Sequence, residues 1–147
     1  MLLAGVGVHV VLLMRNRYAD IDRVREIGRG GFGVVYEAVH GPSHDRMALK
    51  EPLPQSGLGP STFPPELQKK LAREVTLMMR CVHPGIVQCL GFVSGGPCGI
   101  AIALELCAAA LPDRLRSADL AQRLKYLYQA AEALEYLHIK KDIVHRD

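Results

Sequence analysis

The chain has no tryptophan, and with five tyrosines and three phenylalanines it is poor in aromatic side chains. It therefore offers few rings on which bases could stack. It also lacks an excess of either charge: 18 Lys and Arg are interleaved with 15 Asp and Glu, for a formal net charge of +3. No basic stripe is available to follow a phosphodiester backbone, so the electrostatic footprint of a nucleic-acid-binding protein is missing. There is no C-x-x-C pair, since Cys81, Cys89, Cys98 and Cys107 stand eight to nine residues apart. That spacing argues against a zinc site or a disulfide framework and for small buried hydrophobes in a reducing compartment.

Nor is there an apolar run that spans a bilayer. Residues 1–14 are nearly unbroken in their apolar character and are followed by Arg15 and Arg17. As a helix they would extend only about 21 Å against a hydrocarbon core of about 30 Å. No charged stretch precedes the run and no clean small-residue cleavage site follows it, which argues against a secretory signal. Two readings stay open: a segment packed on the domain, and the remainder of a signal anchor whose upstream part is not in this chain.

What is present is enough for one domain, 147 residues of which 49% are apolar. Its most informative stretch is Ile27-Gly28-Arg29-Gly30-Gly31-Phe32-Gly33-Val34-Val35-Tyr36, which sets three glycines in the order G-x-G-x-x-G. Glycines let backbone N–H groups approach an anion with no Cβ in the way, and they tolerate positive φ. Alone the pattern is ambiguous between a dinucleotide turn and a phosphate flap. Its flanks favour the flap. Asp20 to Ile27 alternates polar and apolar residues like a half-exposed strand, and Val34 to Val39 is β-rich. A dinucleotide turn instead opens a helix at its last glycines.

Further along, Met47-Ala48-Leu49-Lys50 reads as a third strand, and the proline-rich Glu51 to Pro65 as a surface loop. A helix is predicted from Pro65, with Leu67, Leu71, Val75 and Met78 on one apolar face and Glu74 within it. Helical period alone places that carboxylate at an edge, reaching solvent. Ile86 to Val93 and Ile100 to Leu106, joined by Ser94-Gly95-Gly96-Pro97, read as a hairpin that completes a five-stranded sheet. Leu111 to Leu115 suits a short helix. Ser117-Ala118-Asp119 offers the cap of a long one, in which Leu120, Leu124, Leu127, Ala131, Leu134 and Leu137 hold a helical period. The chain ends on His145-Arg146-Asp147.

In this order the elements resemble the amino-terminal part of the protein kinase domain, from about Ile21 to Asp147. Gly28, Gly30, Gly33 and Val35 meet G-x-G-x-x-G-x-V, Met47-Ala48-Leu49-Lys50 meets V-A-I-K conservatively, and His145-Arg146-Asp147 meets H-R-D. The resemblance implies an α+β fold: a five-stranded antiparallel sheet with one helix on it, then the first helices of an incomplete helical lobe. The boundaries it implies are residues 1–19 for an apolar segment and basic junction, 20–107 for the ATP-binding lobe and 108–147 for the start of the second lobe.

The same resemblance implies roles. Lys50 would hold the α and β phosphates of ATP, Glu74 would pair with Lys50, and Asp147 would accept the proton of the attacking hydroxyl. Ile27, Gly28, Gly30, Gly33, Val35 and Ala48 would line the nucleotide site, with Leu104 at its back and Glu105 and Cys107 giving backbone groups to the adenine edge. The partners implied are ATP and a protein substrate, with Ser/Thr hydroxyls favoured and the style of the motifs resembling the tyrosine-kinase-like serine/threonine group. Mg²⁺ is implied for the family, but the catalytic-loop Asn and the D-F-G Asp that would hold it do not follow Asp147 in these residues. The expectation is a chain not competent for transfer as given, cytoplasmic or at the cytoplasmic face of a membrane. The alternative is a non-catalytic, pseudokinase-like module that binds nucleotide or a partner.

Overall fold

The computed structural model describes residues 17–31, 33–53, 64–96 and 99–144. The apolar run 1–14 and Asp147 lie outside the described residues. The chain divides into two compact units, Met1–Met79 with Cys89–Leu106, and Arg80–Gln88 with Cys107–Asp147.

Among the described residues the first unit has five strands, β1 (Ile21–Gly30), β2 (Gly33–His40), β3 (Arg46–Glu51), β4 (Cys89–Ser94) and β5 (Ile100–Leu104), with one α-helix, α1 (Pro65–Met79). Their spatial order is β1-β2-β3-β5-β4, and every pairing is antiparallel. The predicted glycine hairpin, third strand, helix and second hairpin are all present. Two edges differ from expectation. β4 begins at Cys89 rather than Ile86, because the Ile86 N–H donates to the His83 carbonyl at 3.0 Å in the turn after Pro84. β5 ends at Leu104 rather than Leu106, because Leu104 is the last residue that either neighbour pairs, opposite Ala48 on one side and Cys89 on the other.

Residues directly opposite in an antiparallel pair point to the same side of the sheet. The register therefore sorts the unit into two faces. Ala38, Met47, Leu49, Val93, Ala101 and Ala103 form one buried cluster, joined by Ile21 and covered in part by Tyr18 and Leu90. Leu49 is fully buried, and such a side chain contributes about 1.5–3 kcal/mol on leaving water. The alternate residues face the other way, where Val75 of α1 meets Cys89 and Ile102, flanked by Leu71, Met78, Phe92 and Leu104. The Leu67 side chain, expected on this helical face, lies outside the described residues. The hairpin between β4 and β5 turns through Gly95, Gly96 and Gly99, each at positive φ.

In the second unit, α2 (Leu111–Ser117) precedes α3 (Leu120–Glu135). Asp119 caps α3 as its residue type foretells, its Oδ1 accepting from the Gln122 N–H at 2.8 Å. The helix then widens into a π turn over Tyr136–Lys140 instead of ending cleanly. There the Tyr136 ring stacks on His83, and its hydroxyl accepts from the Val82 N–H at 3.1 Å. Of the expected apolar stripe only Leu137 is buried, joined by Ala133 from outside the stripe, while Leu120, Leu124, Leu127, Ala131 and Leu134 are exposed.

Candidate functional site

The strip of sheet left beside α1 carries the residues picked out by the motifs. Val35 of β2 is directly opposite Lys50 of β3, and Lys50 is directly opposite Ile102 of β5. Ala48 lies opposite Leu104 in the same way. Val35, Ala48, Lys50, Ile102 and Leu104 therefore share one face, the face on which α1 rests through Ile102 and Cys89. Ala48 is buried, while Val35, Lys50 and Leu104 are half-buried.

The three motif glycines differ in purpose. None takes positive φ, so their freedom in the left-handed region is not what selects them here. Gly33 is required by contact, since a Cβ there would overlap the carbonyl oxygen of Glu51 at the end of β3. Gly30 has nothing within 4 Å of its Cβ position, and Gly28 meets only the Val35 Cβ at 3.9 Å. Gly33 thus closes the hairpin onto β3, while Gly28 and Gly30 keep it bare. Ile27 sits at a register shift between Glu26 and Gly28 and is 39% exposed.

Glu74 is on the exposed side of α1, yet its charge reaches the sheet. Burial pushes the Cys89 thiol up from its ordinary range, and the negative charge of Glu74 adds to that push. Among the described residues no ion pair joins Glu74 to Lys50. Glu105 is the next-to-last residue of the first unit and Cys107 opens the second segment of the second; both are exposed. Asp147 lies outside the described residues.

Sequence reading missed two groups on this sheet. Glu37 is buried at 5% exposure, on the same face as Ala48, and is held by Arg46 and by Arg25, the latter at 2.8 Å. The hydrogen bond from Arg46 is the main reason its carboxyl stays below the usual range, and Arg25 adds to the effect. A carboxylate between Tyr36 and Ala38, in a run of otherwise β-rich residues, was the available signal. The second group lies on the opposite face. There Glu26 accepts two hydrogen bonds from Arg29 of the glycine stretch, at 2.9 and 2.6 Å, and this pairing lowers the Glu26 carboxyl.

The face has the parts of a phosphate site: bare backbone at Gly28 and Gly30, a cation at Lys50, and apolar Val35 and Ala48 alongside. The model of the protein kinase domain matches residues 21–147. The chain belongs to the protein kinase domain family. The chain is 30% identical to protein kinase wis1 of Schizosaccharomyces pombe over 97% of its own length and 23% of that protein. It is 30% identical to mitogen-activated protein kinase kinase 7 of Arabidopsis thaliana, covering 88% of itself and 40% of the relative. Against Aurora kinase B of Drosophila melanogaster the identity is 32%, over 87% and 39%. The chain thus spans between about a quarter and two-fifths of the length of these relatives. The kinase fold accounts for the strand that follows Gly33, where a dinucleotide turn would have a helix.

Proposed function

We propose that this chain binds ATP on the α1 face of its sheet and serves transfer of the γ-phosphate to Ser/Thr hydroxyls of a protein substrate. The observation that carries the reading is the cross-strand pair of Val35, on the return strand of the glycine hairpin, and Lys50, on the face that α1 covers. In this reading residues 20–107 are the ATP-binding lobe and 108–147 the start of the substrate lobe. The backbone N–H groups around Gly28 and Gly30 receive phosphate oxygens, and the Lys50 ammonium orients the α and β phosphates. Ile27, Val35 and Ala48 exclude water from the adenine, while the backbones of Glu105 and Cys107 meet its edge. Glu74 holds the lysine in line when the two approach, and Asp147 takes the proton of the attacking hydroxyl.

Mg²⁺, which the family uses, would supply positive charge that offsets the charge of the phosphates. Among the described residues no group of three His, Cys, Asp or Glu side chains converges to hold a metal ion, so no step is assigned to it. Among the same residues no helix is long and apolar enough to cross a membrane. Our reading of location is the cytoplasm, or the cytoplasmic face of a membrane if residues 1–14 belong to an anchor.

The absence of a Lys50–Glu74 ion pair among the described residues favours a second reading, a nucleotide- or partner-binding module without catalysis. A phosphotransfer assay on the 147-residue chain tests its competence: no turnover is expected of these residues alone, and turnover that disappears in Asp147→Asn would overturn that expectation. The transcript separates the two readings: continuation in frame from Asp147 into L-x-x-x-N and D-F-G supports the enzyme, and a stop there supports the module.

A further inference from the structure

Residues 17–20, just ahead of the part matched to the kinase family, are fixed to the sheet on the face opposite Lys50. Arg17 forms a parallel bridge to Ser94 at the end of β4, and Tyr18–Asp20 make a single 3-10 turn leading into β1. The Tyr18 ring fits a notch in the β4–β5 turn. A Cβ at Gly96 would stand 2.7 Å from its Cδ2 and Cε2, and one at Gly95 would stand 3.1 Å from its Cβ. The Tyr18 hydroxyl donates to Glu51 Oε1, while Arg23 Nη1 reaches Glu51 Oε2 at 3.5 Å. The Arg23 guanidinium lies over two rings, 5.9 Å from Tyr18 and 5.0 Å from Tyr36.

Glu51 is the centre of this arrangement. It is a buried carboxylate, 7% exposed, and both of its oxygens are engaged. Its backbone has two further neighbours of consequence: its carbonyl backs Gly33, where the glycine hairpin returns to the sheet, and it follows Lys50 directly in β3. Val34 is its cross-strand partner. Whatever fixes the Glu51 side chain on one face therefore fixes the hairpin and the lysine on the other. A buried carboxylate that loses a donor retains the cost of its desolvation, so the strand end would shift to recover a partner.

We propose that Tyr18 is a positioning residue that sets the glycine hairpin and Lys50 through Glu51. The segment ahead of the domain is thereby a strap: seated, it holds the nucleotide face ready, and lifted, it loosens that face from behind. The link to nucleotide rests on the ATP reading given above, whereas the link from Tyr18 to the hairpin does not.

The test is site-resolved amide hydrogen exchange on the full chain, comparing wild type, Tyr18→Phe, Glu51→Leu and the double variant. Phenylalanine keeps the ring in its notch and removes only the hydroxyl. In Tyr18→Phe, exchange at residues 33–36 and 49–51 rises about ten- to a hundredfold, the range expected for one hydrogen bond to a charged group. Exchange at Phe92, Val93, Ala101 and Ile102 stays as in wild type. In the Glu51→Leu background, Tyr18→Phe adds nothing further. An unchanged hairpin, or equal acceleration in β4 and β5, overturns the proposal.

A titration with a fluorescent ATP analogue supplies the functional arm. Tyr18→Phe weakens binding about three- to tenfold, in step with the loosened hairpin. Faster exchange with unchanged affinity overturns the positioning role. If wild type binds no nucleotide, the ATP reading fails, and the exchange data alone decide whether Tyr18 sets the hairpin.

Discussion

Gly33 stands so close to the carbonyl of Glu51 that a side chain on it would overlap that oxygen, whereas Gly30, three residues earlier, faces open space. The two glycines should therefore fail differently. Gly33→Ala forces the hairpin off β3 and costs about 1–3 kcal/mol of stability, read as a lower urea midpoint. Gly30→Ala should leave the midpoint within about 0.5 kcal/mol of wild type and act on nucleotide affinity instead.

Glu37 gives the fold an acid-sensitive joint. Its carboxyl is held below the ordinary carboxylate range by the hydrogen bond from Arg46 and then by the charges of Arg46 and Arg25. A depressed folded value means that the stabilisation is complete above the unfolded value and is lost as pH falls through the folded one. The difference in melting temperature between wild type and Glu37→Gln should be constant from about pH 8 to 6 and shrink below about pH 4.5. A difference that grows on acidification would contradict the assignment.

The thiols should report burial directly. Cys107 is exposed, whereas Cys81 and Cys89 are buried, and burial raises the Cys89 thiol above its ordinary range. Since the thiolate is the reactive form, iodoacetamide at pH 7.5 should label Cys107 in the native chain and spare Cys81 and Cys89 until denaturant is added. Peptide mapping by mass spectrometry reads the order of labelling.

The elements were legible because their signals are local. Alternation at Asp20 to Ile27, the glycines between two β-rich runs, Pro65 at a helix start and Asp119 as a cap each carry their own physical reason. The pairing of Lys50 with Val35 follows once β2 and β3 are joined as a hairpin. What stayed hidden depends on register. Val24 and Ile27 sit at shifts in β1, so Arg23 and Arg25, two apart, fall on opposite faces, one against Glu51 and the other against Glu37. Strict alternation would have put both on one side. Tyr18 and Glu51 are 33 residues apart and belong to no motif, so nothing local announced their contact. The edge placement of Glu74 suggested by helical period agrees with its exposed position on α1.

The most direct test of the account is the affinity of the full chain for ATP, measured by calorimetry for wild type, Lys50→Met and Lys69→Met. Lys69 sits on exposed helix surface with Glu66 and serves as the control for loss of one positive charge. The account expects saturable one-to-one binding, weakened at least about tenfold by Lys50→Met, as loss of a charge-assisted contact implies, and unchanged by Lys69→Met. No saturable binding, or equal affinity in wild type and Lys50→Met, would contradict it.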